Sequence, residues 1–411
     1  MKKLLSEAIK SIRPDSQYEK EILSKADSII KKINSGMKGA KAVLGGSSAK
    51  GTWLKTFDVD IFVRFDYKKY SNKSSGISDI LEKFLKRHFK IARLHGSRDY
   101  FQITEGKFTF EVIPILGIKK ASEAKNITDV SPLHSDFIKK HRKLVDEIRL
   151  TKQFFKSSGI YGAESYIRGF SGYVCEILTI NYGSFLNLVK AMSKWKEREV
   201  IDIKNYYKGK NVFSEINKSK LASPLVIIDP VQKDRNAAAA LDHEKFGIAI
   251  HRAKEFLKNP SMEFFIVKEH DEADLRKKFP NIIILKAVPL KKKPDVAGAK
   301  MLKAFHQIEN ELARHGFTIK ESDMLWHHGK DSLFYYSLES TTLPESVEIA
   351  GPPLFAKQHV DNFRKKHRNT FIKGKKIYAK ERRKLNKAQD AARQIIKNPN
   401  VTANISKIGL V

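Results

Sequence analysis

The sequence predicts a multidomain α+β protein. Length is the first sign, because 411 residues exceed what a single hydrophobic core ordinarily organises and point to about two to four domains. The second is patterning: amphipathic helical stretches and short β-rich runs follow one another irregularly, with no internal repeat and no low-complexity tract. The third is a drift in composition, from mixed segments at the start to a strongly basic stretch near the end.

Residues 1–10 resemble the start of a signal peptide, but the apolar run stops after Leu4 and Leu5, so a helix is expected there. After Pro14 the apolar positions Tyr18, Ile22, Leu23, Ala26, Ile29, Ile30 and Ile33 step by three and four, which predicts one amphipathic helix stopped by Gly36. Ala42, Val43 and Leu44 read as a buried strand, and Gly45-Gly46-Ser47-Ser48 turns it sharply into a helix. Such a turn leaves free backbone N–H groups beside two hydroxyls, a cradle for phosphate oxygens. Asp58 and Asp60 then lie two apart on a β-rich run, on one strand face, with Val59, Ile61 and Val63 on the other. Two adjacent carboxylates repel, and a divalent cation is their natural partner.

A second amphipathic helix is expected over 77–91, with Ile80, Leu81, Phe84, Leu85 and Phe89 on one face. Residues 100–104 and 107–113, joined through Glu105-Gly106, predict a hairpin. Its second arm carries Glu111 among Phe108, Phe110, Val112 and Ile113, a buried acid that needs a positive partner. Three acids beside a Gly-Ser turn suit metal-dependent phosphoryl transfer, with octahedral Mg²⁺ taking carboxylates and substrate phosphates as ligands.

These residues resemble a known family. Gly46-Ser47-Ser48-Ala49-Lys50-Gly51-Thr52-Trp53 followed by Asp58-Val59-Asp60 is similar to the signature of the polymerase-β-like nucleotidyltransferases, in the version of the archaeal, class I CCA-adding tRNA nucleotidyltransferases. The resemblance implies that Asp58, Asp60 and Glu111 are the catalytic metal carboxylates. The family usually has aspartate at the third position, and a glutamate is one methylene longer. It also implies that Ser47 and Lys50 meet the triphosphate; Lys50 stands where arginine is common, keeping the charge and losing the bidentate fork.

Further matches extend along the chain. Residues 126–134 are similar to the family segment ending in the histidine that meets the incoming nucleotide, which is His134 here, although the arginine expected before Ser131 is absent. Lys152-Gln153-Phe154-Phe155, then residues 159–164 and 168–173, form the most distinctive match, and imply that Lys152 and Tyr161 hold the triphosphate. Without the resemblance, residues 136–206 read as helical, with Leu144, Ile148, Leu150 and Phe154 as core positions. Residues 224–230 read as a strand ended by proline, and Asp234-Arg235-Asn236 before Ala237 as a capped helix start. By resemblance Arg235 presents hydrogen bonds to the incoming base; read alone, it pairs with Asp229 or Asp234.

Beyond this point Phe264-Phe265-Ile266-Val267 and Ile282-Ile283-Ile284-Leu285 read as β-rich runs around a charged helix. Residues 291–296 open another helix, residues 317–340 alternate like paired strands, and Gly351-Pro352-Pro353 reads as a hinge. Residues 357–397 carry 15 Lys/Arg against three acids, interleaved with Phe363, Phe371 and Tyr378, a pattern suited to the backbone of a structured RNA.

The expected organisation is a polymerase-β-like head over 1–135, a helical neck over 136–215, an α+β body over 216–350 and a basic tRNA-binding tail over 351–411. Lys plus Arg outnumber Asp plus Glu by 78 to 46, a net charge of +32 that favours a polyanionic partner such as nucleic acid. The single cysteine, Cys175, sits in an apolar run, which excludes a disulfide or a Cys-based zinc site built from it alone. No stretch approaches the ~18 apolar residues of a membrane span, so a cytoplasmic protein is expected, with monomer and homodimer both open. The resemblance implies addition of C, C and A to the 3′ end of tRNA from CTP and ATP with Mg²⁺. A poly(A) or oligoadenylate polymerase, or a catalytically silent RNA-binding protein on the same fold, remain the alternatives at this point.

Overall fold

A computed structural model describes residues 1–55, 59–268, 270–326 and 331–411. The chain divides into two compact units, Met1–Lys268 and Glu269–Val411.

The first unit opens with α1 (Lys2–Ile12) and α2 (Ser16–Gly36), the latter capped by the Asp15 carboxylate, which accepts from the Gln17 and Tyr18 N–H groups. Next come β1 (Ala40–Leu44), the five-residue α3 (Gly46–Lys50), β2 (Val59–Phe65), the short α4 (Tyr67–Tyr70) and α5 (Ile77–Leu85). Strands β3 (Ile91–Leu94), β4 (Tyr100–Glu105) and β5 (Phe108–Leu116) complete a five-stranded sheet of order β1-β2-β5-β4-β3. The expected hairpin is β4–β5, antiparallel, while β2 and β5 run parallel. Alternation along β2 and β5 sends Val59, Ile61, Val63, Phe110 and Val112 into the core with Ile22, Ile29 and Ile33 of α2 and Leu81 of α5. Asp60 and Glu111 are left on the opposite face.

Helix α5 ends at Leu85, short of the expected span, because β3 begins at Ile91. Its buried stripe is Ile77, Leu81 and Leu85; Ile80 is exposed, one step off that stripe.

Helices α6 (Ser131–Lys139), α7 (Val145–Ser157), α8 (Gly172–Tyr182) and α9 (Phe185–Met192) form the helical region, with Ile148, Leu150 and Phe154 buried as expected. The parallel pair β6 (Glu199–Ile201) and β7 (Leu225–Ile227), with the short α10 (Val212–Glu215) between them in sequence, precedes α11 (His243–Lys258). Two expectations are corrected here. Residues 237–240 form a turn instead of a helix start, because the Ala237 N–H is already given to the Ile227 carbonyl and Ile228 bridges Asn236; the helix begins at His243 with Asp242 as its cap. The run from Phe264 is no strand: Met262–Phe265 is a 3₁₀ turn, and the Phe264 ring stacks on Phe154 at 6.0 Å and meets Phe256 edge-on at 5.2 Å. Aromatic packing overrides β propensity there.

In the second unit, α12 (Glu272–Lys278) leads to β8 (Ile282–Val288), α13 (Pro294–Arg314), β9 (Ile319–Trp326) and β10 (Ser332–Leu338). Strand β11 (Ser346–Pro353), α14 (Lys357–Lys366), β12 (Thr370–Lys373), β13 (Lys376–Arg382), α15 (Ala388–Ile395), the short α16 (Pro399–Thr402) and β14 (Lys407–Leu410) follow. One sheet has the order β14-β8-β10-β9, the other β11-β13-β12. Gly351-Pro352-Pro353 is therefore no hinge but the end of the edge strand β11, where the register shifts between Ala350 and Pro353. An edge strand is where prolines, lacking an N–H, are tolerated. The basic region is folded as well: Ala388, Ala391, Ala392 and Ile395 of α15 share a core with Met301, Ile308 and Leu312 of α13.

Candidate active site

Three clusters of side chains lie in the first unit. The first is on the open face of the five-stranded sheet. Asp60 and Glu111 are register partners across β2 and β5, so their carboxylates leave neighbouring strands on the same side. The glycine turn is built around this pair. Gly45 donates its N–H to the Asp60 carbonyl at 2.8 Å, and a Cβ on Gly45 would lie 2.7 Å from the Phe62 ring. Gly46 has φ +52°, and a Cβ there would fall onto the Asp60 carboxylate. The sequence Gly-Gly is thus required by how closely the turn crosses the acid-bearing strand. Ser47 sits half-buried in α3, and the Ser48 hydroxyl is buried with no hydrogen-bond partner among the described residues. Asp58 lies outside the described residues, and among those described no group of three His, Cys, Asp or Glu side chains is assembled for a metal. The hard carboxylate oxygens of Asp60 and Glu111, beside a turn with an unsatisfied hydroxyl, suit a hard divalent cation carrying phosphate ligands.

The second cluster centres on Glu176 of α8, which is fully buried. Its carboxylate takes the Lys50 ammonium at 2.7 Å, the Lys152 ammonium at 2.8 Å and the Thr52 hydroxyl at 2.6 Å. Lys152 also donates to the Thr52 carbonyl at 3.1 Å and the Thr52 hydroxyl at 3.0 Å. Burial alone would raise the Glu176 pKa, but the charges of Lys152 and Lys50 outweigh it and bring it down to about 2. Burial pushes Lys152 down, and Glu176 opposes that shift. Tyr161 closes the cluster: a Cβ on Gly172 would lie 2.8 Å from its hydroxyl and 3.7 Å from the Lys152 Cε. The loop that holds Tyr161 is pinned by backbone bonds from Gly162 N–H to the Phe170 carbonyl and from Phe170 N–H to the Ile160 carbonyl, both 2.8 Å.

The third cluster centres on Asp229, also fully buried. His134 Nε2 lies 3.1 Å from one carboxylate oxygen, which Arg235 Nη1 also engages, and the Tyr173 hydroxyl donates to the other at 3.2 Å. The His134 and Tyr173 rings stack at 4.1 Å. Burial raises the Asp229 pKa, while the adjacent His134 ring, the Val231 N–H and Arg235 bring it down to about 2. Arg235 remains 30 % exposed and keeps donors for another partner.

The residues that the sequence motifs mark are thus brought together in groups: Asp60 with Glu111; Lys50, Lys152 and Tyr161; His134 with Arg235. The two carboxylates that organise the last two groups, Glu176 and Asp229, are not among the site residues expected from the sequence. A signal for Glu176 is nonetheless there, since an acid inside Gly-Tyr-Val-Cys-Glu-Ile-Leu is as anomalous as Glu111 in its strand.

Family models match the chain in three consecutive pieces: a nucleotidyltransferase domain over residues 23–145, the second domain of tRNA nucleotidyltransferase over 146–266, and the C-terminal domain of the CCA-adding enzyme over 285–407. The CCA-adding enzyme of Nanoarchaeum equitans is 38% identical over 333 residues, 80% of this chain and 80% of that protein. The chain belongs to the CCA-adding enzyme family. A CCA-adding enzyme from Methanocaldococcus jannaschii is 30% identical over 96% of this chain and 91% of its own length. Among solved structures, the Cid1 poly(U) polymerase with Mg 3′-dATP bound superposes with a TM-score of 0.52 at 14% identity, covering 65% of this chain and 98% of that one. At that identity the likeness is one of fold, and it matches the mixed α+β architecture. No described helix is long and apolar enough to cross a membrane.

Proposed function

We propose that this member of the CCA-adding enzyme family adds C, C and A to the 3′ end of tRNA from CTP and ATP, without a nucleic-acid template and with release of pyrophosphate. The observation that carries the reading is the register pairing of Asp60 with Glu111 under the Gly45-Gly46 turn, in a chain whose relatives over most of its length are CCA-adding enzymes. A poly(A) or oligoadenylate polymerase is not favoured by those relatives.

On this reading Asp58, Asp60 and Glu111 hold Mg²⁺, which when bound supplies positive charge to the phosphates and lowers the pKa of the attacking hydroxyl. The Gly-Ser turn with Ser47 receives triphosphate oxygens, and Lys50, Lys152 and Tyr161 neutralise and orient the triphosphate from another side. His134 meets the nucleotide and Arg235, steered by Asp229, offers its fork of donors to the base. The basic second unit contacts the tRNA backbone, and the work takes place in the cytoplasm, where tRNA and nucleoside triphosphates coexist.

The test is incubation of the purified protein with tRNA lacking its terminal CCA and with each labelled nucleotide in turn. Incorporation of C from CTP alone, and of A only onto tRNA already ending in CC, is expected. Tailing from ATP alone, or binding without incorporation, would overturn the reading.

A further inference from the structure

Glu176 is the one acid in a buried stretch of α8 that otherwise holds Val174, Cys175, Ile177, Leu178 and Thr179. A carboxylate placed there needs cationic partners, and an ordinary structural ion pair would supply one. This site supplies two, Lys50 from the end of α3 and Lys152 from α7. With both ammoniums protonated the trio carries one positive charge in excess, in a place where Lys50 is 10 % exposed and Lys152 4 %. Buried excess positive charge is costly unless an anion completes it.

The donors are divided unevenly. The three N–H groups of Lys152 are matched by three acceptors, the Thr52 carbonyl, the Thr52 hydroxyl and Glu176. Among the described residues Lys50 spends one donor on Glu176 and keeps two. Thr52 lies two residues beyond the end of α3, so one carboxylate fixes the end of α3, the segment after it and α7 with respect to one another.

We infer that Glu176 is a positioning residue for nucleotidyl transfer, setting the Lys50 and Lys152 ammoniums side by side so that their combined charge awaits the triphosphate of the incoming nucleotide. The inference rests on the assignment of these two lysines to the triphosphate. Other titratable groups face the trio as well, Tyr161 from the loop and Tyr173 and Cys175 on α8 itself, with Lys156 of α7 near Cys175 and Glu164 near Tyr161. Burial raises the pKa of Tyr161, Tyr173 and Cys175 and keeps them neutral, so the charge balance is set by the lysines and the acids.

The experiment compares Glu176→Gln, Glu176→Asp and Lys152→Met in the full chain, measuring KM for CTP, ATP and tRNA between about pH 7 and pH 9.5, with cooperative unfolding as a check of folding. Glu176→Gln keeps the shape and removes the charge. It is expected to raise KM for both nucleotides about tenfold while KM for tRNA stays within about twofold. The loss of nucleotide kcat/KM at high pH should also begin at lower pH, because Lys152 has lost the carboxylate that opposes its burial. Glu176→Asp, which keeps the charge, should recover most of both effects. A folded Glu176→Gln with unchanged nucleotide KM overturns the inference, as does a loss that is uniform across pH and unrepaired by aspartate. Lys152→Met separates the two levels: an unchanged nucleotide KM removes the lysine assignment itself, whereas a raised KM beside a silent Glu176→Gln removes only the role of Glu176.

Discussion

Asp60 and Glu111 stand directly opposite one another in the parallel register of β2 and β5, on the sheet face away from the core. Their neighbours Val59, Ile61, Phe110 and Val112 are fully buried on the other face, so the backbone that aims the two acids is held by the core. Replacing Asp60 with alanine removes a proposed cation ligand and leaves that core intact. Nucleotide addition should fall by about a thousandfold or more while tRNA affinity stays within about twofold. Equal loss of both in a folded variant, measured by filter binding alongside incorporation, would remove the metal assignment.

The closeness of the turn to Asp60 gives a second expectation. Gly46→Ala places a methyl group where the Asp60 carboxylate lies and forces a side chain into φ +52°. The backbone cost is about 1 kcal/mol, visible as a small drop in melting temperature. Activity should fall about a hundredfold, since the acid must move. Wild-type activity in this variant would show that the close approach has no catalytic consequence.

Much of this site is legible in the sequence because it is local. Gly45 to Lys50 and Asp60 lie within one strand-turn-strand segment, and alternation assigns Asp60 to a face opposite the core, whereas Glu111, expected to be buried, stands half-buried beside Asp60 on that open face. Glu176 is harder to read, because Lys50 and Lys152 meet it only once the helices pack. For Asp229 the local pair with Arg235 is legible and is found, whereas its approach to the distant His134 is not. The same holds for the fold. Helix α2 and the β4–β5 hairpin follow from periodicity, whereas Phe264 and Phe265 leave their expected strand for an aromatic cluster with Phe154, Phe185 and Phe256 that no local pattern announces. Gly351-Pro352-Pro353 reads as a break by composition, and only the edge position of β11 explains why it can remain a strand.

Asp229 ties Arg235, the proposed base contact, to His134, and its pKa is held down at about 2. A depressed carboxyl contributes stability that is complete above its unfolded pKa of about 3.9 and is lost as pH falls toward 2, here on the order of 2 kcal/mol. The stability advantage of wild type over Asp229→Asn should therefore shrink between about pH 4 and pH 2 in acid-titrated denaturant melts. The variant should also lose discrimination between CTP and ATP at neutral pH, because Arg235 is no longer steered. A pH-independent stability difference would contradict the first expectation, and unchanged nucleotide preference the second.

Truncation at residue 351 is a poor probe of the basic region, because it removes α15 from the core of the second unit. Exposed charges offer a cleaner one. Lys365 and Lys366, in the last turn of α14, and Lys375, just before β13, are exposed. Replacing all three with alanine should weaken tRNA binding and lower the slope of log affinity against log salt by about 0.7–0.9 for each phosphate no longer neutralised. An unchanged slope would show that these lysines do not touch phosphate.

The most direct test of the central claim is to supply all four nucleoside triphosphates together with tRNA ending at the residue before CCA, and to sequence the 3′ ends produced. The added ends should stop at C, CC or CCA, and none should appear with the Asp60→Ala variant. Homopolymeric A or U tails, or no added nucleotide from a folded protein that binds tRNA, would contradict the claim.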